Sequence, residues 1–191
     1  MDLELRHANY RDWRQLAVLM PAIFPELTKD SVAYYLCHTS LNMGVARSGK
    51  QVIGFYQFNP TKSAQTAWLN YIGVSKHRSQ KSIGSKLLRY FEAHAHSVGF
   101  TKIELYVRQE NIIAQKFYEK NGYRFVEIRR GATDTNLLYT KEITATSTPA
   151  QAQAATSTVD SSFFRRIKCK FLYGLYVIIP NTLSFPAHKQ K

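Results

Sequence analysis

Two cysteines are all that the 191-residue chain carries, Cys37 and Cys169, and their distant spacing suits neither a metal site nor a disulfide framework. That scarcity points to a reducing, cytoplasmic setting. Acids are also few: 13 Asp and Glu stand against 26 Lys and Arg, for a formal net charge of +13. The opening MDLELRHANY has no apolar stretch of the kind a secretory leader needs, so export is not expected. The apolar run from Phe171 to Ile179 stops at Pro180-Asn181 after nine residues, well short of the roughly 20 that span a bilayer. No nucleic-acid reader motif accompanies the basic charge, so nucleic acid is not an expected partner. Nor does any residue cluster call for a metal.

What is present is a core. Hydrophobic residues make up 45% of the chain and charged residues 20%, which are globular proportions for one domain plus a tail. LELRHA reads as a strand, and YRDWRQLAVLMPAIF places Trp13, Leu16, Leu19, Met20 and Ile23 at helical spacing. A second helix spans about Asp30 to His38. MGVARSGKQVIGFYQF is two strands closed by Ser48-Gly49-Lys50, and TAWLNYIGV is a third, together an antiparallel meander. After the polar loop SKHRSQKS comes a helix with Ile83, Leu87, Leu88, Phe91, Ala95 and Val98 on one stripe, closed by Gly99. TKIELYVR, YRFVEIRR and NLLYTKEI are strands. Between the first two lies a helix capped by Asn111 and ended near Asn121-Gly122. A strand, crossover helix and strand in this order implies an α/β fold with a partly parallel sheet.

Chemistry concentrates between Tyr71 and Tyr123. A strand followed by a small-residue turn into a helix offers free backbone N–H groups at a positive dipole end, which suits phosphate. Ser82, Gly84 and Ser85 admit close approach, and Arg78, Lys81 and Lys86 add positive charge. On the later helix Asn111, Ala114 and Tyr118 share one face. This strand-loop-helix from Tyr71 to Leu88, with the run N-x-x-A-x-x-F-Y-E-x-x-G-Y from Asn111 to Tyr123, closely resembles the Gcn5-related N-acetyltransferases (GNAT). The resemblance extends from residue 3 to about 143. It implies the GNAT fold: a mixed central sheet of six to seven strands flanked by about four helices, here followed by a linker and a tail.

The same resemblance implies acetyl-coenzyme A as cosubstrate and a primary amine as acceptor: a protein N-terminus, a lysine or a small amine. Transfer would be direct, within a ternary complex. Ile72 and Val74 would pair with the pantetheine arm as with an added strand, and the thioester would lie near Gly73. Arg78, Ser79, Lys81, Ser82, Ile83, Gly84, Ser85 and Lys86 would surround the phosphates, with Asn111 and Ala114 on the facing helix. The loop departs from the family's Q/R-x-x-G-x-G/A pattern, since Ser79 and Ser82 stand where Arg or Gln and Gly are usual. A catalytically weak acetyl-coenzyme A sensor is therefore the alternative function.

A thiolate leaves when an amine attacks the thioester, and a phenol at the sulfur is a suitable acid, a role that falls to Tyr118. No general base is evident. Asn70 and Tyr106 are the inward-facing candidates for substrate contact, Glu104 reads as a surface charge, and His94 and His96 read as solvated. A domain of net charge +8 over residues 1–143 suits a polycationic acceptor poorly.

Three segments are expected: a catalytic domain over 1–143, a linker over 144–162 in which 16 of 19 residues are Ala, Ser, Thr or Gln, and a tail over 163–191. The tail sets Phe163, Phe164, Ile167 and Phe171 at helical spacing beside Arg165, Arg166, Lys168 and Lys170, which suits peripheral contact with an anionic membrane. A second copy of the chain is the other partner considered.

Overall fold

A computed structural model of the chain describes residues 3–38, 42–61, 65–76, 82–131 and 134–144. The elements run β1 (Leu3–His7), α1 (Trp13–Ile23), α2 (Lys29–His38), β2 (Met43–Ser48), β3 (Gln51–Pro60), β4 (Thr66–Val74), α3 (Ile83–Ser97), β5 (Lys102–Arg108), α4 (Ile112–Lys120), β6 (Arg124–Arg130) and β7 (Thr135–Glu142). One seven-stranded sheet has the order β1-β2-β3-β4-β5-β7-β6. Every neighbouring pair is antiparallel except β4 and β5. The mixed sheet and four α-helices expected from the sequence are thus the architecture of the described residues.

Local chemistry explains the junctions. Gly49, at φ 57°, takes the left-handed turn between β2 and β3 that a side chain would resist. Asp12 is 1% exposed, and burying a bare carboxylate there would be costly. Arg6 on β1 donates to both its oxygens, at 2.7 and 2.8 Å, and the Asn9 amide donates at 2.9 Å. That network fastens the start of α1 to β1. Asn111 caps α4, its Oδ1 accepting from the Ala114 amide at 3.1 Å.

The helices bury opposite faces of the sheet. Trp13, Leu16 and Met20 of α1, with Val32 and Leu36 of α2, pack on Met43, Val45, Val52 and Phe55. Ile83, Leu87, Leu88 and Phe91 of α3, with Tyr118 of α4, pack on Tyr56, Phe58, Leu69 and Leu105. The α3 stripe differs from the sequence reading at two positions. Val98, placed on the buried stripe, is 54% exposed, whereas His94, taken as solvated, is 8% exposed. His94 lies seven residues after Leu87 and three after Phe91, so the helix turns it inward. Its Nδ1 meets the Tyr56 hydroxyl at 2.8 Å, and its ring stands edge-on to His7 with centroids 4.1 Å apart.

Among the described residues no helix is long and apolar enough to cross a membrane. The linker beyond Thr144 and the tail lie outside the described residues.

Burial first, and the neighbouring His7 second, push the His94 pKa down to about 3 from an ordinary 6.5. The unfolded chain therefore binds a proton below pH 6.5 that the folded one refuses, and stability falls with pH through that window. For His94 alone the loss between pH 7 and pH 5 is about 2 kcal/mol. Chemical denaturation at the two pH values should show this drop, reduced in His94→Gln, which keeps an acceptor for Tyr56 but does not titrate. An equal drop in variant and wild type would place the acid sensitivity elsewhere.

Candidate active site

The site begins with a defect in the sheet. On β4, Leu69 pairs with Phe58 and Tyr71 with Gln57, so Asn70 is an extra residue without a partner on β3. On the other side β4 pairs with β5 only through Thr66, Ala67 and Trp68, matched to Lys102, Ile103 and Glu104. Both strands continue for several residues beyond that contact. They part, leaving the β5-facing backbone edge of Leu69–Val74 outside the ladder while Tyr71–Val74 remain bonded to β3. Ile72, Gly73 and Val74 thus present a strand edge inside the sheet that is not paired to β5.

Gly73 has a packing role as well. A Cβ built there would stand 2.6 Å from Cγ2 of Ile23 and 3.1 Å from Cε2 of Phe24, so the end of α1 lies directly over the strand. Phe24, Tyr71 and Tyr35 continue this wall, with ring centroids 5.1 Å apart for Phe24 and Tyr71 and 5.5 Å for Tyr35 and Tyr71. Burial, and then the Tyr35 phenol beside it, holds the Tyr71 hydroxyl protonated. Tyr106, 39% exposed, stacks edge-on against Trp68 at 4.8 Å across the seam. Glu104 is ion-paired with Lys102 at 2.7 Å, which agrees with its reading as a surface charge.

The first turn of α3 follows β4. Ser82 is its N-cap and makes no side-chain cap bond, and the Lys86 amide donates to the Ser82 carbonyl at 3.0 Å. The Ile83, Gly84 and Ser85 amides lie ahead of that first helical bond, as donors at a helix N-terminus do. The Ile83 side chain is a core residue, 4% exposed, so only its backbone faces a ligand. Ser82 and Lys86 are exposed, and Gly84 and Ser85 partly so. Arg78, Ser79 and Lys81 lie outside the described residues.

Helix α4 packs beside the first turn of α3. Its Phe117 ring lies 3.4 Å from the Cβ position of Gly84, which joins α4 to the first turn of α3. Tyr118 is 9% exposed and packs against Phe117, Tyr123 and Tyr139. Burial raises its pKa, so its hydroxyl stays protonated at neutral pH. That hydroxyl has no hydrogen-bond partner among the described residues. Asn111 spends its Oδ1 on the Ala114 amide, so both residues shape the end of α4. Phe117 and Gly84 thus tie α4 to the helix that follows β4, while Tyr71 and Gly73 turn toward the end of α1.

Sequence reasoning missed Gln57, fully buried on β3 and hydrogen-bonded to Asn70 at 2.8 Å. Its signal was a lone amide inside the apolar run VIGFYQF. The Phe24-Tyr35-Tyr71 wall carried no comparable signal, because it joins three separate elements.

The chain has no match among curated proteins. Solved structures share the fold at low identity. The PaiA N-acetyltransferase of Thermoplasma acidophilum, determined with coenzyme A, is 19% identical over 74% of this chain and 99% of its own, with a TM-score of 0.61. The ribosomal-protein-S18-alanine N-acetyltransferase of Escherichia coli is 16% identical over 76% of this chain and 96% of its own, TM-score 0.65. Arabidopsis thaliana Naa50, bound to the bisubstrate analogue CoA-Ac-MVNAL, is 20% identical over 75% and 100%, TM-score 0.63. The sequence profile described as the acetyltransferase (GNAT) family matches residues 5–123, more than half of the chain, and the protein belongs to that family.

Proposed function

We propose that this acetyltransferase carries acetyl-coenzyme A in the seam between β4 and β5 and passes its acetyl group directly to a primary amine. The observation that carries the reading is the parting of the two strands after three residue pairs, beside a helix N-terminus. An unpaired strand edge requires hydrogen-bonding partners, and a pantetheine arm, with its two amides, supplies them as an added strand would. Ile72 and Val74 offer those backbone groups, and Gly73 leaves the thioester beside the strand. The pyrophosphate meets the Ile83, Gly84 and Ser85 amides, with Ser82, Lys86 and the neighbouring Arg78, Ser79 and Lys81 adding donors and charge.

The amine nitrogen attacks the thioester carbonyl carbon, the carbon–sulfur bond breaks, and the amine proton passes to solvent. Tyr118 donates a hydrogen bond to the departing thiolate. Its raised pKa makes it a poor proton source and a durable hydrogen-bond donor, so its contribution is electrostatic. The acceptor enters from the side of Asn70 and Tyr106. A peptide N-terminus, a lysine side chain or a small amine fits a site walled by Phe24, Tyr35 and Tyr71 better than a polyamine does. Calorimetric titration with acetyl-coenzyme A, followed by a thiol-release screen over these amine classes, tests the function. Tight binding with no thiol release for any amine would leave a sensor in place of an enzyme.

Tyr118→Phe should lower turnover about ten-fold while leaving acetyl-coenzyme A affinity nearly unchanged. Unaltered turnover would remove the hydroxyl from the mechanism. Gly84→Asp should weaken cofactor binding severely without unfolding the protein. A Cβ there meets only Phe117, at ordinary contact distance, and a carboxylate suits the first turn of an empty helix. Matching dissociation constants for variant and wild type would put the phosphates elsewhere.

A further inference from the structure

A glutamine with no solvent exposure in the middle of a strand needs a reason, since an unsatisfied amide there costs about 1–3 kcal/mol. Gln57 Nε2 donates to the Phe58 carbonyl at 2.9 Å and to Asn59 Oδ1 at 2.9 Å. The backbone carbonyl can only accept, so the orientation of the Gln57 amide is determined: nitrogen toward Phe58, oxygen toward Asn70. That orientation propagates. Because Gln57 Oε1 can only accept, Asn70 must turn its Nδ2 toward it, at 2.8 Å. Asn70 Oδ1 is then directed away from the pair and has no hydrogen-bond partner among the described residues. Asn70 is the extra residue of the β4 bulge, two positions after Trp68, where pairing to β5 ends.

We infer that Gln57 is a positioning residue that holds Asn70 with its carbonyl oxygen toward the seam, where that oxygen accepts a hydrogen bond from the acceptor amine. The inference rests on the proposed acetyl transfer. A neutral amide oxygen is not a base and removes no proton. It fixes the direction of an amine N–H and so aims the nitrogen lone pair at the thioester carbon. It also selects the acceptor, because a primary amine keeps a second N–H for Asn70 after one is lost, whereas a secondary amine keeps none.

The test uses the full-length protein and whichever amine the thiol-release screen finds to be acetylated. Asn70→Ala and Gln57→Met should each raise the KM for that amine about three- to ten-fold, the worth of one neutral hydrogen bond. The KM for acetyl-coenzyme A should not move. The double variant should be no worse than Asn70→Ala, because Gln57 reaches the amine through Asn70. Should Gln57→Met fail to fold, Gln57→Glu takes its place. A protonated carboxyl keeps an acceptor oxygen for Asn70 and one hydrogen to donate in place of the amide's two, and its amine KM should stay near the wild-type value. An unchanged amine KM in Asn70→Ala, or effects of the two sites that multiply, overturns this inference alone. Absence of thiol release with every amine overturns the functional reading and this inference with it.

Discussion

Backbone amides and carbonyls inside a protein must be bonded to something, and the architecture of this molecule is organised around one place where they are not. β4 leaves β5 after Trp68, although both strands run on. Holding two strands apart inside a sheet takes bracing on both faces. The bulge at Asn70 turns the strand, the end of α1 presses on Gly73, and α3 and α4 lean on each other through Phe117 and Gly84.

Much of this was legible in the chain. Alternation and helical spacing gave each element its type, Ser48-Gly49-Lys50 announced the hairpin, and Asn111 and Gly99 marked helix ends as local chemistry requires. Strand pairing was less accessible, because the order β5-β7-β6 depends on contacts far apart in sequence. The register shift at Asn70 left no local mark: nothing in LNYIGV says that one residue of the six lacks a partner.

The misread residues share a cause. His94 was taken as solvated because histidine is polar, yet its position relative to Leu87 and Phe91 pointed inward, and Tyr56 and His7 stood ready to receive it. Gln57 was not singled out in the sequence, yet it anchors an amide chain with Asn70 and Asn59. In both cases the polar group is buried because a partner from another strand satisfies it, and such partners cannot be read from one segment. Ile83, by contrast, lies in the core, 4% exposed, as its place on the apolar stripe indicated.

The short seam also has a mechanical meaning. Between the meander β1–β4 and the trio β5–β7 only three residue pairs are stitched, and they sit at one end. The halves are nevertheless not joined by those pairs alone: Ile83, Leu87 and Phe91 of α3 belong to one continuous core with side chains of β3, β4, β5 and β7, so the parting of β4 from β5 opens the backbone ladder without dividing the interior.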